Sequence, residues 1–310
     1  MKKVLALTMA LIIAVSLGSN PVVALQGQNT QVVQQPLTDR QVRINANVAD
    51  ISDRHLQRIG EMRLAAEMNN VTLDEQAAEL NAQRTLKECL AEIKAYLKSE
   101  GLVECGKYDG ESFVFGEEST SSVVSPMSMS SELTVYPDAV MDVDGSIYYY
   151  AYWDWTPQYN YDVFWDTYDL VSAQLESDNG WRWRSMECQT WDQNGNETGF
   201  TDGTAGNTRG DAVTLRDDFW QGKIYNLHDE WNPLMYRYKT DMVRIAGWIN
   251  KGSTATNRVK TNFEHNWKTV TPSASASISS AQFVGFGLSV TYNTVHHNWL
   301  RGSNALTIPK

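Results

Sequence analysis

Aromatic residues recur two apart in several short stretches: Trp153-Asp154-Trp155, Tyr159 and Tyr161 followed by Phe164-Trp165-Asp166, and Trp181-Arg182-Trp183. In an extended strand, residues i and i+2 share a face, so each stretch lines up indole or phenol rings on one side. Sugars present axial C–H groups to such rings and hydroxyls to carboxylates. Trp153, Trp155, Tyr161, Trp165, Trp181 and Trp183, with aspartates beside them, are therefore a candidate glycan or cell-wall platform. The competing reading is a β core built with Trp, since large aromatic side chains fill interiors as readily as they stack on ligands.

A second pattern lies near the C-terminus. Odd positions Ala255, Val259, Phe263 and Trp267 are apolar between polar even ones. Further on, even positions Ala274, Ala276, Ile278, Val284, Phe286, Leu288, Val290 and Tyr292 are apolar against an opposite face rich in Ser, Gly and Thr. A bilayer-spanning β-hairpin needs lipid-facing apolar residues alternating with small polar ones, over ~9–11 residues per strand. Residues 255–269 and 274–292 satisfy both demands, with Val284, Phe286, Leu288 and Val290 as candidate membrane-contact residues. An ordinary half-exposed antiparallel pair alternates in the same way. The surplus of Ser, Gly and Thr keeps the membrane reading open.

Other chemistry has less to stand on. Asp142-Val143-Asp144-Gly145 opens like a calcium loop but lacks the further oxygen ligands and the closing Glu, so a polar turn is the simpler reading. Glu264, His265, His296 and His297 could converge if their strands pair, yet no spacing fixes a coordination geometry. There is no Gly-x-Ser-x-Gly elbow, no His-Glu-x-x-His helix and no phosphate-binding Gly loop. Asp154, Asp162, Asp166 and Asp169 offer carboxylates for a glycosidase pair, the one enzymatic alternative. A non-catalytic role is expected, and no cofactor or metal is implied.

The elements that must position these residues follow from composition and periodicity. The 310 residues hold 11 Trp, all at or after Trp153, whereas residues 25–107 contain one aromatic, Tyr96. Two regions are expected. A net charge of -11 opposes binding to phosphate backbones, which excludes a nucleic-acid partner by bulk electrostatics. Lys2 and Lys3, the apolar run from Val4 to Leu17 and the small residues ending at Ala24 read as a secretory signal peptide, residues 1–24, and hence a secreted, extracellular product. Residues 25–47 read as a flexible N-terminus.

Ile51, Leu56, Ile59 and Met62 predict a helix over about 50–68, and the capping-box spacing Thr72-Leu73-Asp74-Glu75 with Leu86, Leu90, Ile93 and Leu97 predicts another over about 73–99. Residues 48–107 are thus an expected helical hairpin, which could cap the second domain, self-associate or be a removable pro-segment. Residues 108–131 are Ser-rich and read as a linker. Residues 132–310 carry short strand-like runs between Gly, Asn and Asp clusters, the pattern of an all-β antiparallel sandwich. The expected class is α+β overall. Cys89, Cys105 and Cys188 leave an odd thiol, and a Cys89–Cys105 bridge and free buried thiols are both open.

This layout, with stretches such as Tyr161-Asp162-Val163, His265-Asn266-Trp267-Lys268-Thr269 and Ser273-Ala-Ser-Ala-Ser-Ile278, resembles uncharacterised secreted Gram-positive β-rich proteins, including large unmodified bacteriocins of the geobacillin type. The resemblance implies antibacterial activity and carries over no site residues. The expected partner is a component of another cell's envelope, engaged as membrane by a bacteriocin-like agent or as glycan by a wall-binding module.

Overall fold

The structure, a computed structural model, describes residues 36–69, 72–117, 133–155, 169–176, 180–192, 194–201, 208–210, 213–218, 222–227, 231–232, 237–238, 240, 242–252, 256–267, 278–283, 288–292 and 298–309. The expected signal peptide and most of the expected linker lie outside these residues.

Helix α1 runs Asp39–Asn69 and helix α2 Thr72–Ser99. Helix α1 starts well inside the stretch expected to be flexible. The cause is a capping box at Thr38 and Gln41: the Gln41 N–H donates to Thr38 Oγ1 at 3.2 Å and the Thr38 N–H donates to Gln41 Oε1 at 3.1 Å. Helix α2 ends in a Schellman motif. Gly101 adopts φ +87°, its N–H bonds the Lys98 carbonyl, and the Leu102 N–H reaches back to Leu97. Leu97 and Leu102 are both buried, which supplies the apolar contact this motif favours.

The strands are β1 Val103–Glu104, β2 Lys107–Glu117, β3 Leu133–Met141, β4 Ile147–Trp155, β5 Asp169–Leu175, β6 Arg182–Trp183, β7 Glu187–Trp191, β8 Glu197–Thr201, β9 Thr208–Gly210, β10 Val213–Asp218, β11 Gly222–Leu227, β12 Trp231–Asn232, β13 Arg237–Tyr238, β14 Met242–Asn250, β15 Asn257–Trp267, β16 Ile278–Phe283, β17 Leu288–Tyr292 and β18 Asn298–Ile308. One open sheet has the order β1-β3-β4-β14-β7-β8-β9, with β6 on β14; a second open sheet has the order β10-β11-β5-β15-β18-β2. Every pairing described is antiparallel. The chain is thus α+β, with a helical pair and antiparallel sheets. Strand β2 occupies residues expected to be linker, because it adds an edge to the second sheet by pairing along β18.

Two clusters hold these elements together. Odd positions of β4, Ile147, Tyr149, Ala151 and Trp153, join Val171 and Ala173 of β5, Tyr225 of β11 and Phe263 of β15, so both sheets contribute to one apolar interior. Even positions Tyr148, Tyr150 and Tyr152 turn the other way and pack with Ile44, Val48 and Ile51 of α1 and Leu86, Cys89 and Ile93 of α2. The first sheet is therefore covered on both faces. A continuous apolar run such as Ile147–Trp153 is what a doubly covered strand requires. Residues Pro36–Lys310 form one compact unit.

The helical layer touches the sheet through backbone as well as side chains. A Cβ at Gly60 of α1 would lie 1.7 Å from the Asn194 carbonyl carbon, and one at Gly195 would lie 2.0 Å from the Leu56 carbonyl oxygen. Gly195, at φ +73°, closes the turn between β7 and β8.

Candidate functional site

The expected aromatic platform does not survive in the described residues. Trp153, Trp181 and Trp183 are brought together, but within the interior between the sheets, and each is at most 2% exposed. Trp153 packs on Phe263 with ring centroids 5.5 Å apart, and Tyr149 meets Trp183 edge-on at 6.0 Å. Rings held this way fill a core and have no face left for a sugar. Trp155 ends β4 opposite Leu133. Tyr161 and Trp165 lie outside the described residues, as do Val284 and Phe286.

The metal and thiol expectations resolve simply. Asp142 pairs with Arg40 of α1, and Asp144 Oδ1 accepts the Ser146 N–H at 2.8 Å and the Ser146 hydroxyl at 2.5 Å. Both carboxylates of the calcium-like stretch are thus engaged in a polar turn whose Gly145 sits at φ +82°. Cys89 and Cys105 are unbridged, because Cys89 lies in the helix-facing cluster and Cys105 packs against the cluster between the sheets. Burial pushes the Cys89 thiol up to about 12 and the Cys105 thiol up to about 11. Neither is an activated nucleophile.

The C-terminal pattern gives a different outcome. Strand β15, the first arm of the expected membrane hairpin, is locked between β5 and β18 in the second sheet, with Val259 and Phe263 buried. Its odd positions Val259 and Phe263 join the core between the sheets, and its even positions Asn262 and Glu264 are buried as well. Further on, β16 and β17 pair with each other as a separate two-stranded sheet, and β16 approaches β10.

The register of this ribbon decides what its faces are. Ala281 pairs with Val290 and Phe283 with Leu288, while Gln282 pairs with Ser289 and Ser280 with Thr291. Directly paired residues share a face, so apolar meets apolar and polar meets polar at every rung. The even-position alternation alone would fail here, since Ala281 and Phe283 are odd. A register shift between Ile278 and Ser280 repairs the mismatch and brings Ile278 opposite Tyr292 on the apolar side. The result is a two-faced ribbon with positions 278, 281, 283, 288, 290 and 292 on one side and 280, 282, 289 and 291 on the other.

Its place in the chain is equally telling. Strands β15 and β18 are adjacent partners, matched without interruption from Asn257↔Ile308 to Trp267↔Asn298. Antiparallel neighbours need only a tight turn. The chain inserts all of residues 268–297 there, a length that goes with function more often than with connection.

Sequence reasoning missed the polar seam under the helices. Arg244 of β14 is fully buried, and its Nη2 donates to Glu187 Oε1 at 2.6 Å. Burial pulls the Arg244 guanidinium down, but Glu187, Tyr152, Tyr148 and Asp53 more than offset it, so its affinity for the proton stays above the ordinary Arg value. Around it, the Trp248 indole N–H donates to Asn45 Oδ1 at 2.8 Å, the Trp191 indole N–H to Asp53 Oδ1 at 2.8 Å, and Ser52 shares a 2.6 Å hydrogen bond with the Tyr152 hydroxyl. The available signal was polar Asn45, Ser52 and Asp53 recurring at helical spacing along α1, matched to a charged residue in the otherwise apolar run 242–249.

No family model matches the chain, and no curated protein matches it. Among solved structures, one described as "Pore forming protein" is similar over 64% of this chain and 95% of that chain, at 6% identity and a TM-score of 0.29. That likeness is too slight to establish a shared fold. Among the described residues, no helix is long and apolar enough to cross a membrane.

Proposed function

We propose that this is a secreted, non-catalytic bacterial protein that acts on the envelope of other cells by inserting its 268–297 segment into their membranes, in the manner of a bacteriocin-like or membrane-perturbing agent. The observation that carries the reading is the ribbon register, in which apolar positions meet only apolar positions and polar ones only polar. A bilayer-inserted strand must satisfy every backbone group by pairing while keeping one face in lipid. A two-stranded ribbon with a Ser/Thr/Gln face meets both demands once several copies pair edge to edge. The described strands β16 and β17 are six and five residues long, and the 30 residues of 268–297 supply enough sequence for two strands of the ~9–11 residues a spanning hairpin needs. The pair of open sheets, which we read as a sandwich, is the scaffold that holds that base. Signal-directed export brings the protein to its target.

The test is face-specific. An Arg on the lipid-facing side of a spanning strand costs about 2–4 kcal/mol near mid-bilayer and little on the polar side. Dye release from vesicles of zwitterionic phosphatidylcholine, chosen because the acidic chain disfavours anionic lipid, should fall by at least an order of magnitude in Leu288→Arg and Val290→Arg. Ser289→Arg and Thr291→Arg should stay near wild type. Absence of leakage from the unmodified protein, or equal losses on the two faces, rejects the proposal.

A further inference from the structure

A cavity of about 410 Å³ opens between α2 and the start of the first sheet, away from the ribbon and independent of it. Its existence follows from the strand pattern. Strand β1 is only two residues long and pairs with Met141 and Val140, so among the described residues no strand pairs with β3 on that side further back. Pro137, which lacks an N–H to offer a neighbour, falls in that part. Helix α2 crosses above it and contributes Leu90, Ala91 and, one turn from Leu90, Lys94.

The walls divide by chemistry. Leu90, Ala91 and Pro137 give an apolar side, and the half-buried Tyr136 adds a ring. The polar side is built around Asp138. Its Oδ1 accepts the Ala139 N–H at 2.8 Å, and its Oδ2 accepts the hydroxyl of the buried Tyr150 at 3.0 Å. Lys94 Nζ stands 3.8 Å from the same Oδ2 and 2.8 Å from Glu104 Oε2. These contacts hold the carboxylate in a fixed direction while the cavity keeps one side of it open.

Charge narrows the ligand. The charged lining residues are Lys94 and Asp138, and Lys94 is also engaged by Glu104 outside the lining, so the cavity offers no surplus positive charge to phosphate, sulfate or uronate groups. Among the described residues no guanidinium lines it to fork onto an anion. What fits is a neutral molecule with hydroxyls for Asp138 and Lys94 and a flat C–H face for Tyr136, of a size suited to the lower end of the ligand-pocket range of roughly 300–1,000 Å³. We infer that this cavity binds a neutral pyranose residue of a surface glycan, through Asp138, Lys94 and the ring of Tyr136. The sugar site of this protein is then a polar pocket at the helix–sheet seam rather than an indole platform.

Titration of the full secreted protein with N-acetylglucosamine, followed by saturation-transfer NMR, tests the inference without any membrane present. Saturable binding in the millimolar range is expected, with glucuronate, a comparable ring bearing a carboxylate, at least about tenfold weaker. Asp138→Asn, which keeps the shape but loses the charged acceptor, and Tyr136→Ala should each weaken binding by about tenfold or more. Should Tyr136→Ala fail to fold, Lys94→Met on the solvent-facing side of α2 takes its place with the same expectation. The inference is overturned if none of N-acetylglucosamine, glucose or galactose saturates the protein, if glucuronate binds as tightly, or if the folded variants bind like wild type. A negative result here leaves the ribbon proposal standing, because vesicle leakage reads a different part of the chain.

Discussion

Replacing Arg244 with Met probes whether the helical pair and the first sheet are one cooperative interior. Arg244 is fully buried and its partner Glu187 is 7% exposed. With the guanidinium 2.6 Å from Oε1, the charge centres lie roughly 4 Å apart, which at an effective dielectric near 20 corresponds to about 4 kcal/mol of attraction. Removing one member of a buried pair typically costs about 3–5 kcal/mol, because the remaining charge stays desolvated. With a urea m-value on the order of 3 kcal/mol/M, the unfolding midpoint of Arg244→Met should fall by about 1–1.7 M. Tryptophan fluorescence and far-UV circular dichroism should report the same transition if the unit unfolds in one step. Adding Glu187→Leu removes the orphaned carboxylate, so the double variant should recover at least about 2 kcal/mol of the loss. A single variant within about 1 kcal/mol of wild type, or a double variant no better than the single, refutes the assignment of this pair as a buried, mutually dependent contact.

Two further outcomes follow from particular atoms. Gly60→Ala should destabilise the fold by about 2 kcal/mol or more, because its methyl has only the Asn194 backbone to enter; an unobstructed helix position would gain about 1 kcal/mol from the same change, so any rise in urea midpoint contradicts the close approach. Asp138 is raised from its ordinary 3.8, chiefly by burial, against the pull of the Ala139 N–H, Lys94 and Tyr150. A carboxyl raised by folding costs stability as the pH climbs through and beyond its ordinary value, and costs none below it. Asp138→Asn should therefore be more stable than wild type at neutral pH and converge with it under acid conditions below that value, as measured by urea midpoints across pH; a gap independent of pH would show that the carboxylate is not under strain.

Much of the helical part was legible because its signals are local. The Leu86, Ile93 and Leu97 stripe and Gly101 marked α2 and its end, and both reappear as the buried stripe and the Schellman turn. The start of α1 was equally local, in Thr38 and Gln41, but the Gln- and Asn-rich context hid it. The burial of Trp153, Trp181 and Trp183 was not legible for a different reason. Two-residue spacing shows that Trp153 shares a face with Ala151 and Tyr149, but not which face of the sheet is covered, and here both are.

The amino-acid sequence by itself determined the periods: 3.6 in the two helices, 2 in the strands, and the small polar against apolar alternation near the C-terminus. Those follow from backbone geometry and need no partner. Only the tertiary structure decided that helices lie on the tyrosine face of β4, that Arg244 meets Glu187 beneath them, and that β16 pairs with β17 instead of with β15. Each is a choice among surfaces of similar apolarity made by residues far apart in the chain. Which surfaces are buried together, and so which remain exposed, is set by the mutual fit of the whole and not by any local pattern.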